Sequence, residues 1–173
     1  MRTAFLTALF ALALSCNNKE EKPKAAKTKT VYFPYSSSES NSYQIGDSEH
    51  VKTVLEIWRA YDRGNIERLK ESFAPNISLS YPEQYMSGAR DSILNLWIGK
   101  RKQYTTVQSY INSWVPLSTT DTKQNYVMIW AKREFTETSG KVLYRFVHES
   151  WKINENGKVE SVEHYTSAAW QSE

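Results

Sequence analysis

The chain has 173 residues, 40% of them hydrophobic and 24% charged, which is enough for one domain with a real core and too little for two large ones. Its net charge of +3 comes from 22 basic and 19 acidic residues, but Arg2 and five lysines, against Glu20 and Glu21, fall before Val31, leaving 16 basic and 17 acidic residues from there onward. The basic excess belongs to the N-terminal segment, so the net charge is no argument for a nucleic-acid-binding face, and no nucleic-acid partner is expected.

Residues 1–15, MRTAFLTALFALALS, carry one positive charge, then an apolar run, then a small residue. This is the layout of a secretory signal, and the run is too short for a helix of about 20 residues that spans a bilayer. The single cysteine, Cys16, follows at once. The stretch ALSC resembles a bacterial lipobox, which implies that Cys16 is lipidated, and no second cysteine is there to pair with its thiol. Acyl chains such as palmitate on Cys16 would anchor the chain to a membrane, at roughly 0.8 kcal/mol per buried CH₂. The charges after it, NNKEEK, resemble the Lys-Glu-Glu export signal of surface-exposed lipoproteins in Bacteroidetes-type bacteria. An outer-membrane lipoprotein facing the cell surface, or otherwise the periplasm, is the expected location. Residues 16–46, rich in Lys, Ser, Thr and Asn, read as lipidated cysteine plus tether. Within them VYFPY, at 31–35, is an aromatic island that reads equally as a short docked strand or as linker.

The folded domain is expected over 47–173. Asp47 or Ser48 caps a helix whose apolar residues Val51, Val54, Leu55, Trp58 and Tyr61 recur at three and four, and Gly64 stops it. Asn65 opens a short second helix through Ile66, Leu69 and Phe73, and NISLSYP reads as a strand ended by Pro82. ARDSILNLWIGK fits a third helix with Ile93, Leu94 and Trp97 on one face. After Lys102 the period shortens to that of strands: TVQSYINSWVPLS, NYVMIWAKREF, KVLYRFVHESWKI and KVESVEHYTSA are separated by the turn-forming TTDTK, TETSG and NENG. Helices followed by a meander give an α+β class, a curved antiparallel sheet packed against three N-terminal helices.

That order, with IWRAYDRGNIERLKESFAPNISLS, SGARDSI and HESWKINENGKVESVEHY, resembles the nuclear transport factor 2-like superfamily and its SnoaL-like domains, from Ser48 to about Ala168. The resemblance implies a cone-shaped, cystatin-like barrel, often dimeric, with a pocket between sheet and helices. It does not imply one activity, since the family holds isomerases, polyketide cyclases, dehydratases and non-catalytic domains. Laying the ketosteroid isomerase pattern on EIWRAYDRGN puts Ile57 at the tyrosine position and Tyr81 at the position of the general base, and leaves only Glu149 as a counterpart, of the oxyanion acid. That reaction is therefore not expected.

The same overlay turns Val147, Glu149 and Trp151 inward, with Val162, His164 and Thr166 on the next strand. A hairpin closed at NENG puts Glu149 opposite Val162, with His164 diagonal to it and Arg145 on the same side. Arg145, Glu149 and His164 then form a polar group in a pocket lined by Trp58, Tyr61, Trp97, Met128, Trp130 and Trp151. The plainer alternative is an Arg145–Glu149 ion pair with His164 as a satisfied neighbour. Tyr144, Phe146 and His148 alternate to the opposite face, a candidate homodimer surface. His50, His148 and His164 have no metal-ligand spacing, no phosphate loop or nucleophile elbow is present, and no cofactor is expected.

Three readings follow: a lipid-anchored, extracytoplasmic domain that binds a small, partly apolar ligand without transforming it; a cyclase, isomerase or dehydratase with Glu149 and His164 as acid and base; or a dimerisation or interaction module.

Overall fold

The computed structural model describes residues 32–171. The leader, Cys16 and the Lys-rich part of the tether lie outside the described residues. The chain divides after Ser36, and every helix and strand described lies in the unit that follows. No helix among the described residues is long and apolar enough to cross a membrane.

Helix α1 (Ser48–Asp62) starts where Asp47 accepts a hydrogen bond from the Glu49 amide, 2.9 Å away. It ends at Gly64, whose φ of +69° lets the chain turn back while the amides of Gly64 and Asn65 cap the carbonyls of Tyr61 and Ala60. Residues 66–72 form a 3-10 helix rather than an α-helix. Helix α2 (Arg90–Arg101) buries Ile93, Leu94 and Trp97.

Seven strands make one sheet: β1 (Tyr43–Ile45), β2 (Phe73–Tyr81), β3 (Gln84–Ala89), β4 (Tyr104–Thr119), β5 (Asn125–Glu137), β6 (Val142–Ile153) and β7 (Val159–Thr166), in the order β1-β4-β5-β6-β7-β2-β3. The sheet is mixed rather than wholly antiparallel, because β2 runs parallel to β7. Register shifts in the β4/β5 pair bend it. Both α-helices pack on one face, where Val54, Ile57, Phe73, Val127, Ile129, Trp151 and Val162 form the core.

Two strands arise where sequence showed none. β1 lies in the polar stretch before Asp47 and is held by backbone pairing with β4, while buried Ser40 donates to Asp121 at 2.8 Å. The aromatic island is not that strand, for Tyr32–Tyr35 have no regular structure. β3 extends the NISLSYP strand into a hairpin that turns at Pro82 and Glu83.

Candidate functional site

The last two strands set the polar end of the site. The hairpin turns through Asn154–Lys158, and a bulge that skips Glu160 shifts the pairing, so that Trp151 faces Val162 and Glu149 faces His164 directly. The expected Glu149–Val162 pairing is thus corrected by two residues. His164 becomes the cross-strand partner, with its Nδ1 2.7 Å from Oε1 of Glu149. The other carboxylate oxygen, Oε2, accepts from Nε1 of Trp151 at 2.8 Å. The ion pair weighed between Arg145 and Glu149 does not form among the described residues, and Glu149 pairs with His164 and Trp151 instead.

Glu149 is 3% exposed. Burial disfavours its charge, but the His164 hydrogen bond and charge, then Arg133, then Trp151, outweigh that and hold the carboxyl below its ordinary value. An ionised carboxylate only accepts, so Nδ1 of His164 carries the proton and donates. Its Nε2 has no hydrogen-bond partner among the described residues and belongs to a ring that borders the cavity.

The side walls are aromatic. Trp97 is the hub, meeting Trp151 at 5.9 Å, Phe73 at 6.0 Å and Tyr61 at 6.2 Å between ring centroids, all edge-on. Its Nε1 donates to the Tyr81 hydroxyl at 2.6 Å, and the Tyr81 ring lies 5.1 Å from that of His164. Burial pushes the Tyr81 phenol well above its ordinary value, so it stays protonated at physiological pH. Lys100 Nζ sits 4.1 Å over the same ring. Arg101 fastens the α1 end of this wall, donating to the carbonyls of Tyr61, Asp62 and Tyr104 at 2.9, 2.9 and 2.7 Å. Of these, the Asp62 carbonyl would otherwise be left over at the C-terminus of α1.

These walls enclose a cavity of about 330 Å³. The structure brings Trp58, Tyr61, Trp97, Arg145, Glu149, Trp151 and His164 to it, as expected. Met128 and Trp130 are on the outer face instead. In β5 the buried residues are Val127, Ile129, Ala131, Arg133 and Phe135, so the even positions point away. Trp130 stacks on His148, with centroids 4.8 Å apart and planes 6° from parallel, and Tyr165 continues the stack.

The residue that sequence reasoning missed is Arg133. It stands in a run of alternating apolar positions, and that lone charge on the buried parity was the available signal. Arg133 is 6% exposed, its guanidinium lies 3.9 Å over the Trp58 ring, and its Nε donates to Ser109 Oγ at 2.9 Å. Ser109 in turn donates through Oγ and its amide to Asp62, at 2.8 and 3.0 Å. Burial raises the Asp62 pKa despite these bonds and Arg133. Among the described residues no three His, Cys, Asp or Glu side chains converge as a metal-holding group.

No protein-family model matches this chain, and no curated protein matches it in sequence. Solved structures do match in shape. An NTF2-like protein of unknown function from Exiguobacterium sp. 255-15 superposes with a TM-score of 0.55 at 12% identity, over 67% of this chain and 98% of that one. The fold is nuclear transport factor 2-like. AusH from Aspergillus nidulans has the same shape, with a TM-score of 0.58 at 13% identity over 75% of this chain and 90% of that one. So does an LEH-like epoxide hydrolase of M. tuberculosis, with 0.56 at 8% over 69% and 84%. At these identities the likeness of a nuclear transport factor 2-like domain is one of fold alone.

The arrangement can hold a small molecule between Trp and Tyr walls, offer it positive charge from Arg133, Arg145 and Lys100, and present His164 Nε2 as acceptor or donor.

Proposed function

We propose that this domain binds a small, partly apolar molecule in its cavity, and that the chain carrying it is exported and held to a membrane by a lipid on Cys16. The observation that carries the binding reading is the open-mouthed cavity of about 330 Å³ with aromatic walls and convergent polar groups. The anchor rests on the layout of residues 1–22. Native mass spectrometry of the full chain from its own host should show a bound small molecule that Trp97→Ala abolishes. A wild-type protein that carries nothing, and takes up nothing from a total cell extract, would refute it. For the anchor, a Cys16 peptide of unmodified mass in purified membranes would be decisive against it, and protease shaving of intact cells reports the leaflet.

A second reading is catalytic, and one contact favours it. Glu149 fixes the tautomer of His164 and leaves Nε2 for a substrate, the arrangement by which a buried carboxylate orients a general base. The name epoxide hydrolase belongs to a structural neighbour at 8% identity and lends this reading no residue-level support. A turnover whose pH profile is bell-shaped and whose rate vanishes in His164→Ala would decide for it. Pairing of two copies through the outer face, where Trp130, Phe146 and Tyr165 are exposed, is a further part of the proposal; sedimentation of a monomer at high concentration would remove it.

A further inference from the structure

We infer that the ligand of this cavity is a ring-bearing carboxylic acid whose carboxylate is held by Arg133 and Arg145. The inference rests on the reading of the cavity as a binding site and names the ligand's chemistry.

Arg133 on β5 and Arg145 on β6 are direct cross-strand partners, and both border the cavity. Like charges directly opposite on one face of a sheet repel, so the pair works against the fold unless something compensates. Nothing among the described residues does so by contact. Neither guanidinium has a carboxylate oxygen within ion-pair distance. The two acids nearby direct their hydrogen bonds elsewhere: Glu149 to His164 and Trp151, Asp62 to Ser109. Both acids offset the Arg133 charge through space without touching it, Asp62 being linked to it by the Ser109 hydroxyl, and Lys100 adds a third positive charge to the lining.

Geometry says where the missing acceptor belongs. A guanidinium has five N–H donors, and in Arg133 only Nε is bonded. Trp58 and Tyr61 approach the guanidinium by their ring faces, which partly offsets the charge but accepts none of the in-plane N–H bonds. Unlike the sealed Nε1 of Trp58, the Arg133 side chain borders the cavity, in a residue only 6% exposed. A buried guanidinium with no ion-pair partner, anchored laterally and set beside a second arginine of the next strand on the cavity wall, suits a planar, bidentate carboxylate. The rest of the space is walled by Trp58, Tyr81, Trp97 and Trp151. A dry cavity of about 150 Å³ takes one benzene ring, so one of about 330 Å³ suits a body of one or two rings.

The test uses 2-naphthoate and its neutral isostere 2-naphthamide, titrated calorimetrically into the full chain as wild type and as Arg145→Gln. Arg145 is half-buried and makes no hydrogen bond to another described side chain, so its variant keeps the fold. The expected result is naphthoate bound about tenfold or more tighter than the amide by the wild type, a preference that Arg145→Gln loses. Equal affinities, or preference for the amide, overturn the carboxylate and leave the binding site standing. Binding of neither probe overturns both. A readout without any probe is the melting temperature of the ligand-free protein: relief of the Arg–Arg repulsion should raise it in Arg145→Gln, and a fall would count against the inference.

Discussion

The two faces of the sheet each carry a histidine, on neighbouring strands, and the two are used oppositely. His164 faces inward, fixed through Nδ1 by the buried Glu149 carboxylate, with its ring on a cavity. His148 faces outward between Trp130 and Tyr165, and its Nε2 is buried without a partner. Residue type is the same, and the surroundings differ in every term that sets chemistry: a charge partner, a fixed tautomer and access to an enclosed volume. On the outer face aromatic rings cover one another, whereas on the inner face they enclose space. The lesson is that a histidine becomes a candidate site through what its strand partner supplies.

The comparison can be broken first where it predicts the largest effect. Trp151→Ala removes an indole that fills the inner face and donates to Glu149, and should cost about 4 kcal/mol in denaturant unfolding. Trp130→Ala on the outer face should cost under about 1 kcal/mol, and equal losses would erase the distinction. Next comes Glu149→Leu, which strands His164 Nδ1 and Trp151 Nε1 together, with an expected loss of about 3 kcal/mol. A variant more stable than wild type would show that the acid is kept at a cost to the fold.

Acid sharpens the same contrast. The Glu149 pKa is lowered on folding, so its contribution is whole above the ordinary carboxyl value of 4.5 and is lost as pH falls through the lower folded value. Asp62 has the opposite sign. Its pKa is raised chiefly by burial, so its protonation in acid favours the folded state. Unfolding free energies between pH 3 and 6 should therefore fall less steeply in Glu149→Gln and more steeply in Asp62→Asn than in wild type. The smallest effect on stability is expected from His148→Ala, which should leave whatever uptake or turnover the cavity has intact, whereas His164→Ala should abolish it.

Much of this molecule could be read from its residues, because its helices and long strands satisfy local rules. The three-and-four spacing of Val51, Val54 and Trp58, the Asp47 cap and the Gly64 stop define α1 without any tertiary partner. The alternation in β6 sent Glu149 and Trp151 inward correctly, since side chains of a strand change face at every residue whatever the sheet. In β5 the same rule carried the contrary signal: Met128 and Trp130 are large and apolar, but Arg133 shares its parity with Val127 and Ile129. Hydrophobicity alone chose the wrong face there.

What only the tertiary structure decided is everything set by pairing between distant segments. β1 and β3 are held by backbone hydrogen bonds to β4 and β2, bonds that leave no pattern in short polar strands. The parallel β2–β7 pair joins residues some eighty apart in sequence. The closure of the turn at Asn154 and Lys158 and a one-residue bulge at Glu160 together set the register that seats His164 opposite Glu149. Sequence by itself determined which faces were apolar and where the chain turned, because those follow from the periods of helix and strand. Register and partner decided the site, because the charges of Arg133, Arg145 and Glu149 acquire meaning only from what stands across from them.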